Sequence, residues 1–209
     1  VQRSDSPDQT RLRQLPALDL VVISHDHYDH LDHATIRTLA RHSAVPFVTS
    51  LGVGAHLQAW GVPPERITEL DWWQSAVADG ITYTAAPARH FSGRGLADRN
   101  ATLWASWVVQ GRKNKVYFSG DSGYGPHFKQ IGERYGPFDL AMMECGQYNE
   151  KWEAIHMMPE QTMQAFLDLK GKVLLPIHWG AFDLSVHPWT ESVERLNRAN
   201  TTKVFIATP

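Results

Sequence analysis

Six residues near the start of the chain carry four groups that bind metals. His25-Asp26-His27-Tyr28-Asp29-His30 reads as H-x-H-x-D-H, and imidazole nitrogens and carboxylates are donors that Zn(II) and similar ions take. The cluster follows directly on an apolar run, Leu18-Asp19-Leu20-Val21-Val22-Ile23-Ser24. A buried strand that ends in such a cluster has few structural uses, and a metal site explains it best. The chain has 11 histidines in 209 residues. A chance match is expected in roughly two of a thousand shuffled chains of this composition, so the motif is specific. The bland alternative is a solvated, histidine-rich turn.

The elements that must position this cluster alternate between short runs rich in Val, Ile, Tyr and Phe and amphipathic segments. Strands are predicted at 18–24, 45–49, 81–88, 103–109, 115–120, 139–144, 172–177 and 203–208, and helices at 34–41, 53–60, 127–135, 159–169 and 189–199. The helix at 159–169 has the clearest signals: Pro159 at its first position, Glu160 in its first turn, Gly171 past its end, and Met163, Phe166, Leu167 and Leu169 on one face. Strands mixed with helices indicate a layered α/β domain with helices outside the sheets. Residues 1–16 read as an irregular surface lead-in.

Four predicted strands run into a donor: 18–24 into His25, 81–88 into His90, 115–120 into Asp121 and 172–177 into His178. Sites in open α/β sheets gather at the carboxyl ends of strands, so these residues are expected to converge. Any one of these histidines alone would more often be a satisfied surface or core side chain.

Composition bounds the function. A chain of this length is expected to be a single domain, 1–209, with a sizeable core. Hydrophobic content of 43% and charged content of 20% are those of a globular protein. A net charge of −2 gives no push towards nucleic acid or an anionic membrane. No apolar run approaches the roughly 18 residues of a bilayer span, and the polar, Pro-containing stretch 1–17 does not read as a signal peptide. The one cysteine, Cys145, excludes an intrachain disulfide, fits a reducing, cytoplasmic compartment, and reads as a buried inert thiol. The eight tryptophans are expected in the core or at the rim of a site. The oligomeric state is left open.

The order of motifs resembles the metallo-β-lactamase superfamily: H-x-H-x-D-H, a later His, G-D-[ST]-G-Y, then I-H-W-G-x-F. The runs that carry the resemblance are SHDHYDHLD (24–32), ELDWW (69–73), GDSGY (120–124), GPFDLA (136–141) and IHWGAF (177–182). They cover nearly the whole chain from Leu15 onward, and the branch most resembled is that of the N-acyl-phosphatidylethanolamine-hydrolysing phospholipases D and their bacterial relatives. The resemblance implies a four-layer αββα sandwich. Further strands precede this segment in that branch, ending in a run like T-D-P, so the first sheet is expected to be short here, with an unpaired edge.

The resemblance also implies a binuclear site. His25, His27 and His90 would hold one ion, Asp29, His30 and His178 the other, and Asp121 would bridge both. Spacing agrees: residues 25 and 27 on a tight loop can turn two imidazoles to one ion, and a carboxylate can bridge ions about 3.5–4 Å apart. An all-N/O donor set suits Zn(II), with Mn(II) or Fe as alternatives. Such a pair lowers the pKa of a shared water, whose hydroxide attacks phosphorus or a carbonyl carbon. The expected substrate is a small or lipid-like anionic phosphodiester, with peripheral membrane contact.

Further residues take expected roles beside the ligands. His156 matches a family histidine near the substrate phosphate, as hydrogen-bond donor or general acid; the alternative is a helix-entry histidine packed on Trp152. Asp26 would orient a ligand, act on protons, or cap the loop. Arg89, Arg94 and Arg99 flank His90, and Arg94 is the candidate phosphate contact. Tyr28, Tyr124, Tyr148 and Trp179 are candidate pocket walls that serve equally as core. His33, His42, His56, His127 and His187 are read as structural. Residues 144–152 (ECGQYNEKW) differ from the mammalian pattern and are expected to line the pocket, which leaves the mammalian lipid substrate open.

Three rivals remain. Gly120-Asp121-Ser122-Gly123 also matches the G-D-S-G of trypsin-like proteases, with Ser122 as nucleophile. That reading needs a triad on an all-β double barrel and leaves H-x-H-x-D-H unexplained. A lactone or other ester hydrolase would use the same metals. A non-catalytic metal-binding module would more often lack one of the ligands, all of which are present here.

Overall fold

The computed structural model describes residues 15–180 and 185–207. Most of the expected lead-in at 1–16, Ala181 and Phe182 of the IHWGAF run, and the end of the last predicted strand at 208 lie outside the described residues.

Two sheets stack between two layers of helices. The first is parallel, in the order β1 (Val21–Ile23), β2 (Phe47–Ser50), β3 (Ile67–Leu70). The second joins β4 (Ser75–Ala78), β5 (Ile81–Ala86), β6 (Ser106–Gln110), β7 (Lys115–Phe118), β8 (Leu140–Glu144), β9 (Val173–Ile177) and β10 (Phe205–Ile206), in the order β10-β9-β8-β7-β6-β5-β4. The helices are α1 (His33–His42), α2 (Val53–Ala59), α3 (His127–Tyr135), α4 (Pro159–Asp168) and α5 (Glu191–Ala199).

Strand alternation sorts the apolar side chains into three cores. On β2, Phe47 packs with Ile36 of α1 and Leu57 of α2. Its neighbour Val48 faces the other way, towards Ala85 and Trp107 of the second sheet. On β6, Trp107 belongs to that inter-sheet core, whereas Val108 joins Phe128, Phe166 and Leu196 from α3, α4 and α5. Helix, sheet, sheet, helix is the expected αββα order. Among the described residues no helix is long and apolar enough to cross a membrane.

Local signals act where the sequence put them. Asp32 caps α1 by accepting the Thr35 N–H at 2.8 Å, so one residue closes the ligand loop and starts a helix. Pro159 opens α4 as predicted. Three differences have physical causes. Helix α5 starts at Glu191, two residues late, because the Glu191 N–H closes a turn onto Pro188 O at 3.0 Å. Strands β3 and β4 were not predicted: both are four-residue elements, with Glu69 outward in one and Ala-rich in the other. The strand predicted at 103–109 begins only at Ser106. Its first residues instead stitch the sheets together, Leu103 N–H to Leu51 O at 2.7 Å and Ala105 N–H to Ser24 O at 3.0 Å.

Topology then sets where the donors meet. β7, β8 and β9 are parallel, and β5 is antiparallel to β6, which is antiparallel to β7. The carboxyl ends of β5, β7, β8 and β9 therefore share one edge. The Ala105–Ser24 bond ties the end of β1 to that edge.

Candidate metal centre

The seven expected ligands converge as two sets. His25 Nε2 and His90 Nε2 lie 3.1 and 3.2 Å from His27 Nδ1. His30 Nε2 and Asp29 Oδ2 each lie 3.2 Å from His178 Nε2. Asp121 Oδ2 stands between the sets, 3.0 Å from His30, 3.4 Å from His178, 3.8 Å from His25 and 3.9 Å from His90.

The donors fit cations better than they fit each other. One imidazole nitrogen makes one in-plane hydrogen bond, yet His27 Nδ1 faces two nitrogens. A hydrogen bond accounts for at most one contact, whereas a cation accounts for both. Nitrogens about 2.0–2.1 Å from a tetrahedral ion lie about 3.3 Å apart, close to the spacing found. Asp121 Oδ1 is buried without a partner among the described residues.

Electrostatics separates the sets. Burial pushes His25 well below its ordinary value, lowers His27, and takes His90 to about 3, so these rings are neutral and their lone pairs are free. Burial also pushes His30 down, but the Asp121 carboxylate outweighs it and raises the ring to about 10. Asp121 is pushed up by burial, yet His178 and His30 hold it well below the usual carboxylate range.

Surrounding groups fix the rings. His90 Nδ1 meets Ile155 O at 2.9 Å, which directs Nε2 to the centre, and His25 Nδ1 meets Ser24 Oγ at 3.0 Å. His178 has a φ of 62°, a left-handed conformation that is costly for a residue with a side chain. Gly146 makes room for it: a Cβ there would stand 1.7 Å from His178 O.

A cleft of about 230 Å³ opens over the centre, with Phe91, Gln147, Trp152, Ile155 and His156 beside the ligands. A larger groove of about 500 Å³ lies elsewhere and is edged by the ion-paired Glu160, Glu191 and Arg195. His156 is in the cleft as expected, parallel to His178 at 5.5 Å and edge-on to His90 at 5.2 Å. Burial pushes its imidazole down, but the Glu144 carboxylate, 3.6 Å from Nδ1, outweighs it and raises the ring.

Other expected residues stand elsewhere. Asp26 makes the contacts of a loop anchor. Its carboxylate accepts Gly93 N–H at 2.8 Å and Thr102 Oγ–H at 3.1 Å, with His56 Nε2 at 3.5 Å, and does not line the cleft. Arg94 is not free to bind a phosphate: Nη1 donates to Asp26 O at 2.5 Å and Leu31 O at 2.8 Å, and the guanidinium lies over Tyr28 and Trp60. Tyr28 is largely exposed. Tyr124 turns to the helix layer and donates to Asp168 Oδ2 at 2.7 Å. Tyr148 stacks on His187 and donates to Glu191. Trp179 stacks on Trp189. These aromatic side chains pair within the scaffold because each found a partner for its polar atom or ring face away from the cleft. Ser122 Oγ meets His127 Nε2 at 3.1 Å, but the hydroxyl is wholly buried and accepts the Arg89 N–H, so it is no nucleophile.

Phe91 was not singled out from sequence, and Glu144 entered only as the first residue of the 144–152 run expected to line the pocket, of which Gln147 and Trp152 do so. Phe91 adjoins a ligand, and Glu144 ends a predicted strand, the same signal that marked His25, Asp121 and His178.

Comparison with known proteins agrees with this geometry. A family model described as "Beta-lactamase superfamily domain" matches residues 1–179. An uncharacterised protein of Mycobacterium tuberculosis (strain H37Rv) is 54% identical over 193 residues, 91% of this chain and 52% of that protein. N-acyl-phosphatidylethanolamine-hydrolyzing phospholipase D 1 of Caenorhabditis elegans is 35% identical over 189 residues, 85% of this chain and 53% of that protein. The chain thus spans about half the length of these relatives. Among solved structures, Igni18, a metallo hydrolase of Ignicoccus hospitalis, shares the fold with a TM-score of 0.71 at 23% identity, over 91% of this chain and 76% of that one. From its αββα layers, its seven convergent donors and this family match, the chain belongs to the metallo-β-lactamase superfamily.

Proposed function

We propose that this domain is a metal-dependent hydrolase whose substrate is a phosphodiester of phospholipid-like chemistry. The observation that carries the reading is Asp121 Oδ2, one oxygen within 3.9 Å of four histidines from both donor sets. Two divalent ions, Zn(II) in our reading with Mn(II) or Fe as alternatives, would supply Lewis acidity there and lower the pKa of a shared water. His25, His27 and His90 would hold one, Asp29, His30 and His178 the other, with Asp121 common to both.

The chain's own residues do the rest. His156 projects into the cleft, where a nitrogen can donate to an anionic oxygen or protonate a leaving oxygen. Phe91, Trp152 and Ile155 exclude water from one wall and suit an apolar substituent. Asp26 and Arg94 hold the 91–99 loop that presents His90 and Phe91. The phosphodiester assignment draws on the activity for which the Caenorhabditis elegans relative is named. Peripheral contact with a lipid surface and a cytoplasmic location, in keeping with the buried Cys145 thiol, belong to the same reading.

The test is turnover by metal-loaded protein of bis(p-nitrophenyl) phosphate, phospholipid vesicles and lactones, each compared with Asp121→Ala. Phosphodiester hydrolysis that disappears in the variant is expected. Turnover of lactones alone would move the substrate class. No turnover with both sites filled would leave a metal-binding module.

A further inference from the structure

Three arginines flank His90, and two of them are occupied by the scaffold. The Arg89 guanidinium donates to Tyr124 O at 3.0 Å, and that of Arg94 to Asp26 O and Leu31 O. Arg99 differs. Its side chain is exposed, and among the described residues no hydrogen bond or ion pair holds its guanidinium. The guanidinium lies over the face of Phe91 instead, 4.6 Å from the ring centroid. That contact sets the plane of the group and leaves its edge N–H donors unpaired, the fork that matches a phosphate or carboxylate.

The loop that carries Arg99 is closed at its neck. Asn100 N–H donates to Ser92 O at 2.9 Å. Asp98 turns its carboxylate into the loop, accepting Arg94 N–H at 3.0 Å and Gly95 N–H at 2.7 Å, so this neighbouring anion is already engaged. Gly93, with a φ of 135°, lets the chain at 99 lie against it: a Cβ there would stand 3.2 Å from Arg99 Cα.

Phe91 lines the cleft and meets the His27 ring edge-on at 4.5 Å, which puts the Arg99 guanidinium, 4.6 Å from Phe91, within about 9 Å of that ring. Arg99 does not itself line the cleft, so it stands at the rim. The cleft measures about 230 Å³, less than the roughly 300–1,000 Å³ of pockets that enclose a drug-sized ligand. A substituent of any size must therefore leave over the rim.

We propose that Arg99 is a specificity-determining residue: held flat on Phe91, it takes a second oxyanion, phosphate or carboxylate, on the substituent that leaves the cleft past Phe91. The inference rests on the hydrolase reading above and narrows its substrate to phosphodiesters that carry a further anionic group several bonds from the scissile phosphorus.

The experiment uses Zn(II)-loaded wild type, Arg99→Gln and Arg99→Lys with three p-nitrophenyl phosphodiesters: one of a plain alkyl alcohol, one of the same alcohol ending in a carboxylate, one ending in a phosphate. The two anionic ends distinguish the sources of the oxyanion. Wild type should show a KM about 5- to 10-fold lower for at least one anion-ended substrate than for the plain one, at similar kcat. Added salt should shrink that preference. Arg99→Gln should abolish it while the plain substrate changes by no more than about twofold, and Arg99→Lys, which keeps the charge without the fork, should keep part of it. Calorimetric binding of the matching non-hydrolysable phosphonates reads the same preference without turnover.

No preference for either anion-ended substrate in wild type overturns the proposal. So does a preference that survives in Arg99→Gln, or an equal loss on all three substrates, which would assign Arg99 to the scaffold. A phosphonate preference that depends on Arg99, with no turnover of any diester, would keep the oxyanion site and sink the hydrolase reading alone.

Discussion

Gly146→Ala should remove one metal ion without touching a ligand. The added Cβ would stand 1.7 Å from His178 O, 2.5 Å from its carbonyl carbon and 2.8 Å from Trp179 Cα. All three neighbours are backbone, so no flexible side chain can yield. Ordinary contact begins near 3.4 Å, so the carbonyl is too close by 1.7 Å, whereas metal–ligand distances tolerate only about 0.2 Å. His178 is already held at a φ of 62° and has little room to adjust. Asp29, His30 and Asp121 should keep their places while His178 withdraws. Zinc content should fall from about two ions per chain towards one, with activity lost. Overpacking should cost about 1–3 kcal/mol of stability. Elemental analysis and urea unfolding read the two effects separately. Gly111→Ala is the control, since its Cβ would meet only Asn114 O at 3.6 Å. Two ions at wild-type affinity in Gly146→Ala would refute the packing argument.

The remaining predictions separate ligands from their supports. Asp121→Ala should weaken both ions because Oδ2 faces both sets, whereas His178→Ala should cost chiefly one; equal metal loss in the two variants, by elemental analysis, would contradict the shared carboxylate. Arg94→Ala should lower the melting temperature through loss of the bonds to Asp26 O and Leu31 O, about 1–3 kcal/mol each for buried acceptors left bare. A rise in KM for anionic substrates at unchanged stability would restore Arg94 as a substrate contact. Burial, with the Arg89 cation nearby, takes His127 from 6.5 to about 4. Above pH 6.5 the ring is neutral folded or unfolded. Between pH 6.5 and 4 the unfolded chain binds the proton first, so stability falls by up to about 3 kcal/mol as pH drops. Urea titrations of wild type and His127→Gln should differ by up to one proton in that window, and a ring titrating near 6.5 by NMR would contradict this.

How much of this was legible depends on how local the signal is. The seven donors could be read because each ends a strand or sits in one loop, and because parallel strands bring their carboxyl ends to one edge. Asp32 stood in the sequence only as the end of the 24–32 run, and its capping of α1 was not anticipated. What failed was direction. Arg94, Tyr124, Tyr148 and Trp179 lie next to ligand motifs in sequence, yet the partners that claim them, Leu31, Asp168, Glu191 and Trp189, come from distant segments. Glu144 failed for the opposite reason. A carboxylate at a strand end was a visible signal, but what faces it depends on the fold returning His156 to within 3.6 Å. Strands β3 and β4 are set by pairing with β2 and β5, not by their own propensity.

The central claim is that two ions share Asp121. The most direct measurement is anomalous scattering from crystals of the zinc-loaded protein at the zinc edge. Two peaks about 3.5–4 Å apart are expected, one bounded by His25, His27 and His90, the other by Asp29, His30 and His178, with Asp121 Oδ2 between them. A single peak at full loading, or peaks away from these residues, would contradict it.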